Sequence, residues 1–518
     1  MNGADKVVEA LADEGIDLCL TNPGTSEMHF LAALDARPDI RPVLALQENI
    51  ATGAADGFFR IAGRPASTLL HLGPGLSNGL ANLHNAHRAM SAVVNIIGDH
   101  ATHHRKLDAP LTSDIEGLAA HLSASVRTVQ PGHGAKAETR AAVAEAAAGR
   151  PGIASLLLPG DSAWDDAGDA DREGTPAAPH PRAPAPDEAT LRACAEALQQ
   201  DNAVLFLGFG SVRGEALEIA GRIAAKTGAR IMGQTSNPVT DRGAGRVRIE
   251  RLPFAIDQAI QVLSDVEHMV LATSKAPVAF FAHPGKPGVL TPEGCEIHEL
   301  APPHGDATEA LAALAAILDA AEAEPQRNAA HIPDIPEGRI DAHAIGCVLA
   351  KAMPENAIFV DESITNSFPI TAATMGAAPH RQLHNLGGSI GYSLPVAIGC
   401  SLAEPDAQVI TICGDGSAMY TIQALWTQAR ENLNIVTIIL ANRSYRILQG
   451  EVERLEKTNR GKAITDMLDI GRPNIGFAEM AESMGVTGIR VEDVAGFALA
   501  LEEALDRDGP SLIEAVLD

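Results

Sequence analysis

Aromatic side chains are scarce in this sequence: 2 Trp, 3 Tyr and 12 Phe make up 3% of 518 residues. Positive charge is also short. Lys and Arg number 39 against 66 Asp and Glu, a formal net charge of −27. Such a chain repels a phosphate backbone, so a nucleic-acid partner is excluded. No run approaches the ~20 consecutive apolar residues that span a bilayer, so no membrane partner is expected. The opening Met-Asn-Gly-Ala-Asp-Lys lacks the basic and apolar regions of a signal peptide. Six cysteines, none in a Cys-x-x-Cys pair, are too few and too scattered for a disulfide framework. The expectation is a reduced cytoplasmic enzyme. The 46% apolar and 20% charged content is that of a chain with ordinary cores, not of a disordered one. At roughly 150 residues per domain, the length suggests three or four domains.

Two Pro/Ala/acid-rich stretches, 160–187 and 321–338, read as linkers. They leave a block at 1–165, a middle block at 186–322 and a third at 339–518. Each block alternates short β-branched runs with Ala-rich segments of helical period. The runs are Asp17–Thr21, Pro42–Leu46, Ser67–His71 and Ala92–Ile97 in the first block. In the second they are Ala203–Gly208, Ala229–Met232 and His268–Ala272. In the third they are Ala357–Val360, Gln408–Cys413, Ile435–Ala441 and Ser511–Val516. This grammar predicts an α/β protein of three doubly wound parallel-sheet domains. Ligands then bind at the carboxyl ends of the strands.

Residues 408–444 carry the strongest chemical signal. A strand ends in Gly414-Asp415-Gly416-Ser417, a helix is expected at about 417–431, and a second strand ends in Asn442-Arg443-Ser444. One βαβ crossover makes the two strands parallel, so Asp415 and Asn442 share the carboxyl edge. Strands about 4.8 Å apart let both oxygens reach one hard cation, which completes its shell with phosphate oxygens and water. Gly414 and Gly416 admit close backbone approach, and a helix N-terminus favours an anion. The pattern suits a metal-bridged diphosphate.

This run resembles the thiamine diphosphate motif, which opens with Gly-Asp-Gly and closes with Asn. The resemblance implies Asp415, Asn442 and the Ser444 carbonyl as Mg²⁺ ligands, with Ca²⁺ able to substitute. It also implies cofactor contacts from Thr365, Gly414, Gly416, Ser417 and Tyr445. Ala441 stands where the family often has a first Asn. The loop Leu386-Gly387-Gly388-Ser389-Ile390-Gly391-Tyr392 is similar to the segment that bends the cofactor. Ile390 takes the wedge position and the Gly388 carbonyl the 4′-amino group.

The family also requires a buried carboxyl that shares a proton with the cofactor's pyrimidine. Glu48 fits: it follows the strand Pro42–Leu46 and opens a nearly uncharged Ala/Gly-rich helix, Asn49 to Ile61. The alternative is a first-turn Glu complementing the helix dipole. The run Gln47-Glu48 through Gly53-Ala54-Ala55-Asp56-Gly57 resembles the family's pyrimidine-binding segment. By the same resemblance, Glu48 serves the cofactor of another subunit. A homodimer is then the minimum unit and a homotetramer is common. The domain order is pyrimidine-binding, middle, diphosphate-binding, as in acetolactate synthase, pyruvate oxidase and benzoylformate decarboxylase.

Residues near the reacting carbon decide the branch. Asn22-Pro23-Gly24-Thr25 is similar to the Asn-Pro-Gly-Ser loop of benzoylformate decarboxylase, with Thr25 in place of the serine that meets the substrate carboxylate. His71 matches one active-site histidine of that enzyme, and His283 lies near the other across a one-residue gap. Imidazole titrates near neutral pH and can protonate the enamine left by decarboxylation. Ile447 and Leu448 would supply apolar pocket wall. Glu451 replaces a bulky aromatic, which points away from an aromatic substrate. His103 and His104 read as a polar loop rather than a metal cluster. Gly73-Pro74-Gly75 is closer to acetolactate synthase. The Gly208-Phe209-Gly210-Ser211 turn is a poor nucleotide fingerprint, so FAD is not expected in the middle block.

The sequence thus predicts a thiamine diphosphate- and Mg²⁺-dependent decarboxylase that turns a small aliphatic or polar 2-oxo acid into CO₂ and an aldehyde. The alternatives are an acetolactate synthase-like carboligase or 2-hydroxyacyl lyase, an FAD or NAD oxidoreductase, and a non-catalytic nucleotide-binding protein.

Overall fold

The computed structural model describes residues 1–167, 183–455 and 461–517. The chain forms two compact units. Unit one comprises Met1–His180, Ile332–Thr374 and Asn385–Asp518; unit two comprises Pro181–His331 and Met375–His384.

Unit one begins with six strands: β1 (Leu18–Asn22), β2 (Arg41–Leu44), β3 (Ala66–Leu70), β4 (Val93–Asp99), β5 (Ser125–Thr128) and β6 (Ile153–Pro159). They form one parallel sheet in the order β2-β1-β3-β4-β6-β5. The chain runs one way from β1 to β2 and the other way from β3 onward. The loops after β1 and β3 therefore meet at a topological switch point. The sequence pattern left β5 and β6 unassigned. β5 is a half-buried Ser-Val-Arg-Thr edge strand, whereas β6 is buried throughout.

In unit two, β7 (Ala203–Leu207), β8 (Arg230–Gly233), β10 (Glu250–Arg251), β11 (His268–Ala272) and β12 (Glu296–Ala301) form a parallel sheet in the order β10-β8-β7-β11-β12. Leu205 and Leu207 enter one core, Val204 and Phe206 the other, so β7 is buried on both faces. A short β9 (Thr240–Arg242) pairs antiparallel with β14 (His380–His384). The Gly208 turn after β7 is closed by its own neighbours: the Ser211 and Thr273 hydroxyls both donate to the Gly208 carbonyl.

The remaining strands of unit one are β13 (Ile358–Glu362), β15 (Val409–Gly414), β16 (Ile435–Ala441), β17 (Thr487–Val491) and β18 (Ser511–Val516). They run parallel in the order β17-β18-β16-β15-β13. The two sheets of unit one are joined through the buried helices Glu48–Ala62 and Ser393–Ala403. A Cβ on Gly399 would lie 1.9 Å from the Ala54 carbonyl oxygen, so the backbones touch where only glycine fits. Arg60, Asp56 and Tyr392 form a buried network across the same contact.

Two expectations need correction. Residues 160–164, read as the start of a linker, form a short helix with Asp161 buried beneath Thr102. The rest of that stretch lies partly outside the described residues. The single helix expected at about 417–431 is broken into Asp415–Ala418 and Ala424–Arg430. At the break, the Thr421 hydroxyl donates to the Gly391 carbonyl (3.0 Å), a long-range bond that helical periodicity does not reveal. The first piece is one turn long, so little macrodipole supports an anion there.

Candidate active site

At the switch point of the first sheet, Glu27 anchors a small polar cluster. Its Oε2 accepts from the Gly24 backbone N–H (2.9 Å) and faces His71 Nδ1 (2.8 Å), while Oε1 accepts from the Ser26 hydroxyl (2.7 Å). Glu27 is buried and His71 half-buried. The contact turns Nδ1 toward the carboxylate and the other ring nitrogen, Nε2, away from it. Gly24 packs against the imidazole face: a Cβ there would sit 2.1 Å from Nδ1. Thr25 is exposed in the turn Thr25–Glu27.

Glu48 opens its helix one strand away. Its backbone start is fixed by Gln47, whose side chain accepts from the Asn49 N–H. The Glu48 carboxyl is buried, and among the described residues its hydrogen-bond donor is the Asn78 side-chain amide (3.0 Å). A Cβ on Gly75 would lie 3.3 Å from both Glu48 Oε1 and His71 Cβ. Gly75 thus lets the two predicted catalytic residues approach the same spot.

The second cluster lies at the carboxyl edge of β15 and β16, where Gly414 pairs with Leu440. Asp415 is buried; its Oδ1 accepts from the Gly416 N–H (2.8 Å) and its Oδ2 from the Arg443 N–H (2.5 Å). Burial pushes the Asp415 carboxyl up despite these donors. A cation beside it would supply the compensation that burial removes. Asn442 Oδ1 accepts from the Ser444 N–H (2.9 Å), and the Ser444 carbonyl accepts from Arg446. A Cβ on Gly414 would meet nothing within 4 Å, which leaves open space beside the edge. These oxygens form a set suited to a hard divalent cation. Ser417 is buried, and the Tyr445 ring packs over Gly416.

Behind this edge the loop 385–392 is held from two sides. Glu362, at the end of β13, is buried and accepts from the backbone N–H groups of Gly391 (2.9 Å), Tyr392 (3.1 Å) and Ser393 (2.8 Å). Burial pushes its carboxyl up, while these N–H groups oppose the shift. On the other side Asn85 accepts from the Ser389 N–H and donates to the Ser389 carbonyl, and His84 Nε2 meets the Gly387 carbonyl (3.1 Å). The loop so fixed carries Gly388, at φ +76°, and half-buried Ile390. Neither Glu362 nor Asn85 was singled out in the sequence, because each acts through residues about 30 or 300 positions away.

The other expected pocket residues are less tied together. Thr365 is exposed in the turn Ile364–Asn366. Ile447, Leu448 and Glu451 lie on the helix Arg446–Arg454; Leu448 is exposed and Glu451 is paired with Arg454. A cleft of about 260 Å³ is lined by Ser444, Gln449, Val452, Ile464 and Leu468 among others. His283 lies in unit two, half-buried in a turn where its carbonyl accepts from Lys286. His103 faces Asp161 and the His100 and His104 rings meet at a tilt, without assembling a ligand set among the described residues. No helix among them is long and apolar enough to cross a membrane.

Comparison with known proteins agrees with this geometry. Residues 1–124 match the model of the thiamine pyrophosphate enzyme N-terminal TPP-binding domain, and residues 364–515 that of the C-terminal TPP-binding domain. A Mycobacterium tuberculosis protein, IlvX, named provisionally as an acetolactate synthase large subunit, is 45% identical over 100% of this chain and 99% of its own. Benzoylformate decarboxylase of Pseudomonas aeruginosa is 29% identical over 98% of this chain and 97% of its own. The structure of the thiamine diphosphate-dependent 4-hydroxybenzoylformate decarboxylase of Rhodococcus jostii superposes with a TM-score of 0.84 at 24% identity, covering 100% of this chain and 99% of that one. The two matched domains, which hold Glu48 and Asp415 respectively, together cover more than half of the sequence, and the chain belongs to the thiamine pyrophosphate enzyme family.

Proposed function

We propose that this protein is a thiamine diphosphate- and Mg²⁺-dependent non-oxidative decarboxylase that releases CO₂ and an aldehyde from a small 2-oxo acid. The observation that carries this reading is the pair of buried Glu27 and half-buried His71 beside Glu48. When bound, the cofactor supplies a carbon nucleophile and an electron sink for the bonding pair left behind when the carboxylate departs as CO₂. Asp415, Asn442 and the Ser444 carbonyl would hold the cation that anchors its diphosphate. Glu48 would share a proton with the pyrimidine nitrogen, its carboxyl held by the Asn78 amide. With Nδ1–H directed at Glu27, a His71 ring protonated on both nitrogens would hand its Nε2 proton to the carbon left by CO₂ and keep the Nδ1 proton on Glu27. The aromatic 2-oxo acid named in the benzoylformate decarboxylases is disfavoured by Glu451 and by the low aromatic content. The working unit is at least a homodimer, with each Glu48 serving the neighbouring subunit's cofactor, and a cytoplasmic tetramer is the preferred assembly.

The likeness to IlvX and the Gly73-Pro74-Gly75 run favour a second reading, an acetolactate synthase-like carboligase. One assay separates the two. Protein loaded with thiamine diphosphate and Mg²⁺ is given a panel of 2-oxo acids, and CO₂, aldehyde and acyloin are followed together. Aldehyde without acyloin supports the decarboxylase, and 2-acetolactate or another acyloin supports the carboligase. Absence of cofactor binding refutes both. Glu48→Gln should retain the cofactor and lose at least ~10²-fold in rate.

A further inference from the structure

Unit two carries a cluster that the proposed reaction does not use. His268 opens β11 and pairs in register with Glu296, the first residue of β12; His298 follows two residues later, opposite Val270. A two-residue step returns to the same face of a strand, so Glu296 and His298 point together. His268 points with them: its Nδ1 lies 3.5 Å from Glu296 Oε2, and His298 Nε2 lies 4.0 Å from the same oxygen. One ligand atom from each residue falls within 4.8 Å of the other two. Among the described residues, no other group of His, Cys, Asp and Glu has this spacing.

The distances discriminate between two explanations. Nitrogen-to-oxygen hydrogen bonds run to about 3.2 Å, so these separations are too long for a satisfied His–Glu network. His268 Nδ1 is buried and has no hydrogen-bond partner. Ligand atoms placed tetrahedrally about 2.1 Å from a zinc ion stand about 3.4 Å apart. The His268–Glu296 pair therefore has the spacing of groups around a shared cation, and the His298–Glu296 pair is about half an ångström wider. Two imidazoles and one carboxylate favour a borderline transition metal over Mg²⁺ or Ca²⁺, and leave a position for water.

We propose that His268, Glu296 and His298 form a Zn²⁺-class site, chemically distinct from the oxygen-only set at Asp415. The site lies where β11 and β12 begin, at the opposite end of the strands from the Gly208 and Thr273 loops. It thus clamps the edge strand of this sheet instead of facing its ligand crevice.

The test uses full-length protein loaded with thiamine diphosphate and Mg²⁺, stripped of transition metals and titrated with Co²⁺ as a spectroscopic probe, then with Zn²⁺. One equivalent per chain is expected, with imidazole-type ligand-field bands that Zn²⁺ abolishes, and with a rise in melting temperature. Glu296→Gln and His298→Gln should each weaken binding by more than the ~10–100-fold typical of second-shell changes, and His103→Gln should not. Glu296 is 67% exposed, so its variant should fold, and circular dichroism checks both variants. Equal stoichiometry and affinity in wild type, Glu296→Gln and His298→Gln would overturn the proposal, as would failure of the wild type to bind Co²⁺. Loss of binding in His103→Gln alone would place the metal on the Asp161 loop and also overturn it.

Discussion

Replacing Glu362 with glutamine changes one oxygen to NH₂ while keeping the side chain's shape. In the native site Oε1 serves the Gly391 and Tyr392 N–H groups, and Oε2 serves Tyr392 and Ser393. A glutamine can orient its oxygen only one way. Either Gly391 or Ser393 must then face an NH₂ group, donor against donor. A buried unsatisfied N–H costs about 1–3 kcal/mol. Weakening the remaining charge-assisted bonds adds roughly 1 kcal/mol, and removing a desolvated charge offsets part of the total. A net loss of about 2 kcal/mol is expected, concentrated in the loop that carries Gly388 and Ile390. If that loop is reordered when the cofactor binds, 2 kcal/mol corresponds to ~30-fold weaker binding. Calorimetric titration with thiamine diphosphate at saturating Mg²⁺ measures this, and thermal unfolding measures how much of the loss is global. Glu362→Gln with wild-type cofactor affinity and wild-type melting temperature would refute the anchoring argument.

Three further outcomes follow from burial and packing. Arg60→Met strands the Asp56 carboxyl in the core and should cost about 3–5 kcal/mol in denaturant unfolding, while adding Asp56→Leu should recover much of that loss. Burial, reinforced by Arg242, pushes His380 down to about 4. The unfolded chain then binds this proton more readily, so stability present above pH ~6.5 is lost as pH falls toward the folded value, by up to about 3 kcal/mol. His380→Gln should flatten that part of the melting temperature–pH profile. Gly399→Ala drives a methyl group into the Ala54 carbonyl and should cost ~3 kcal/mol or prevent folding, whereas Gly450→Ala, with nothing within 4 Å, should gain up to ~1 kcal/mol in thermal stability.

Features encoded over a few residues were legible in the sequence. The Asp415–Asn442 unit lies on two adjacent parallel strands as its spacing required. Glu48 stands at the first turn of a buried helix as its uncharged flanks implied. Most strands with continuous apolar runs are legible within a residue or two at most ends, β6 being the exception. Elements that depend on distant contacts were not legible. β14, His-Arg-Gln-Leu-His, has a polar sequence and becomes a strand through antiparallel pairing with β9, some 140 residues earlier. The expected 417–431 helix breaks because Thr421 bonds to the loop at Gly391, whose place is in turn set by Glu362.

The same reason separates the reactive residues from those that aim them. The candidate site residues Glu48, His71, Asp415 and Asn442 can be found from local patterns because the chemistry proposed for them demands a residue type at a strand end. Their partners, Asn78, Glu27 and the Arg443 N–H, satisfy a requirement of geometry and arrive from 28 to 44 residues away. In a chain of net charge −27, the anchoring of anions cannot rest on a general positive field. On the proposed function it rests on short-range devices: backbone N–H groups, the cation that the Asp415, Asn442 and Ser444 oxygens would hold, and the His71 imidazole oriented by Glu27. These devices lose their function with ångström-scale displacement. That requirement accounts for the glycine-tight contact at Gly399 and for the doubly held loop at 385–392, both where the two sheets of unit one meet.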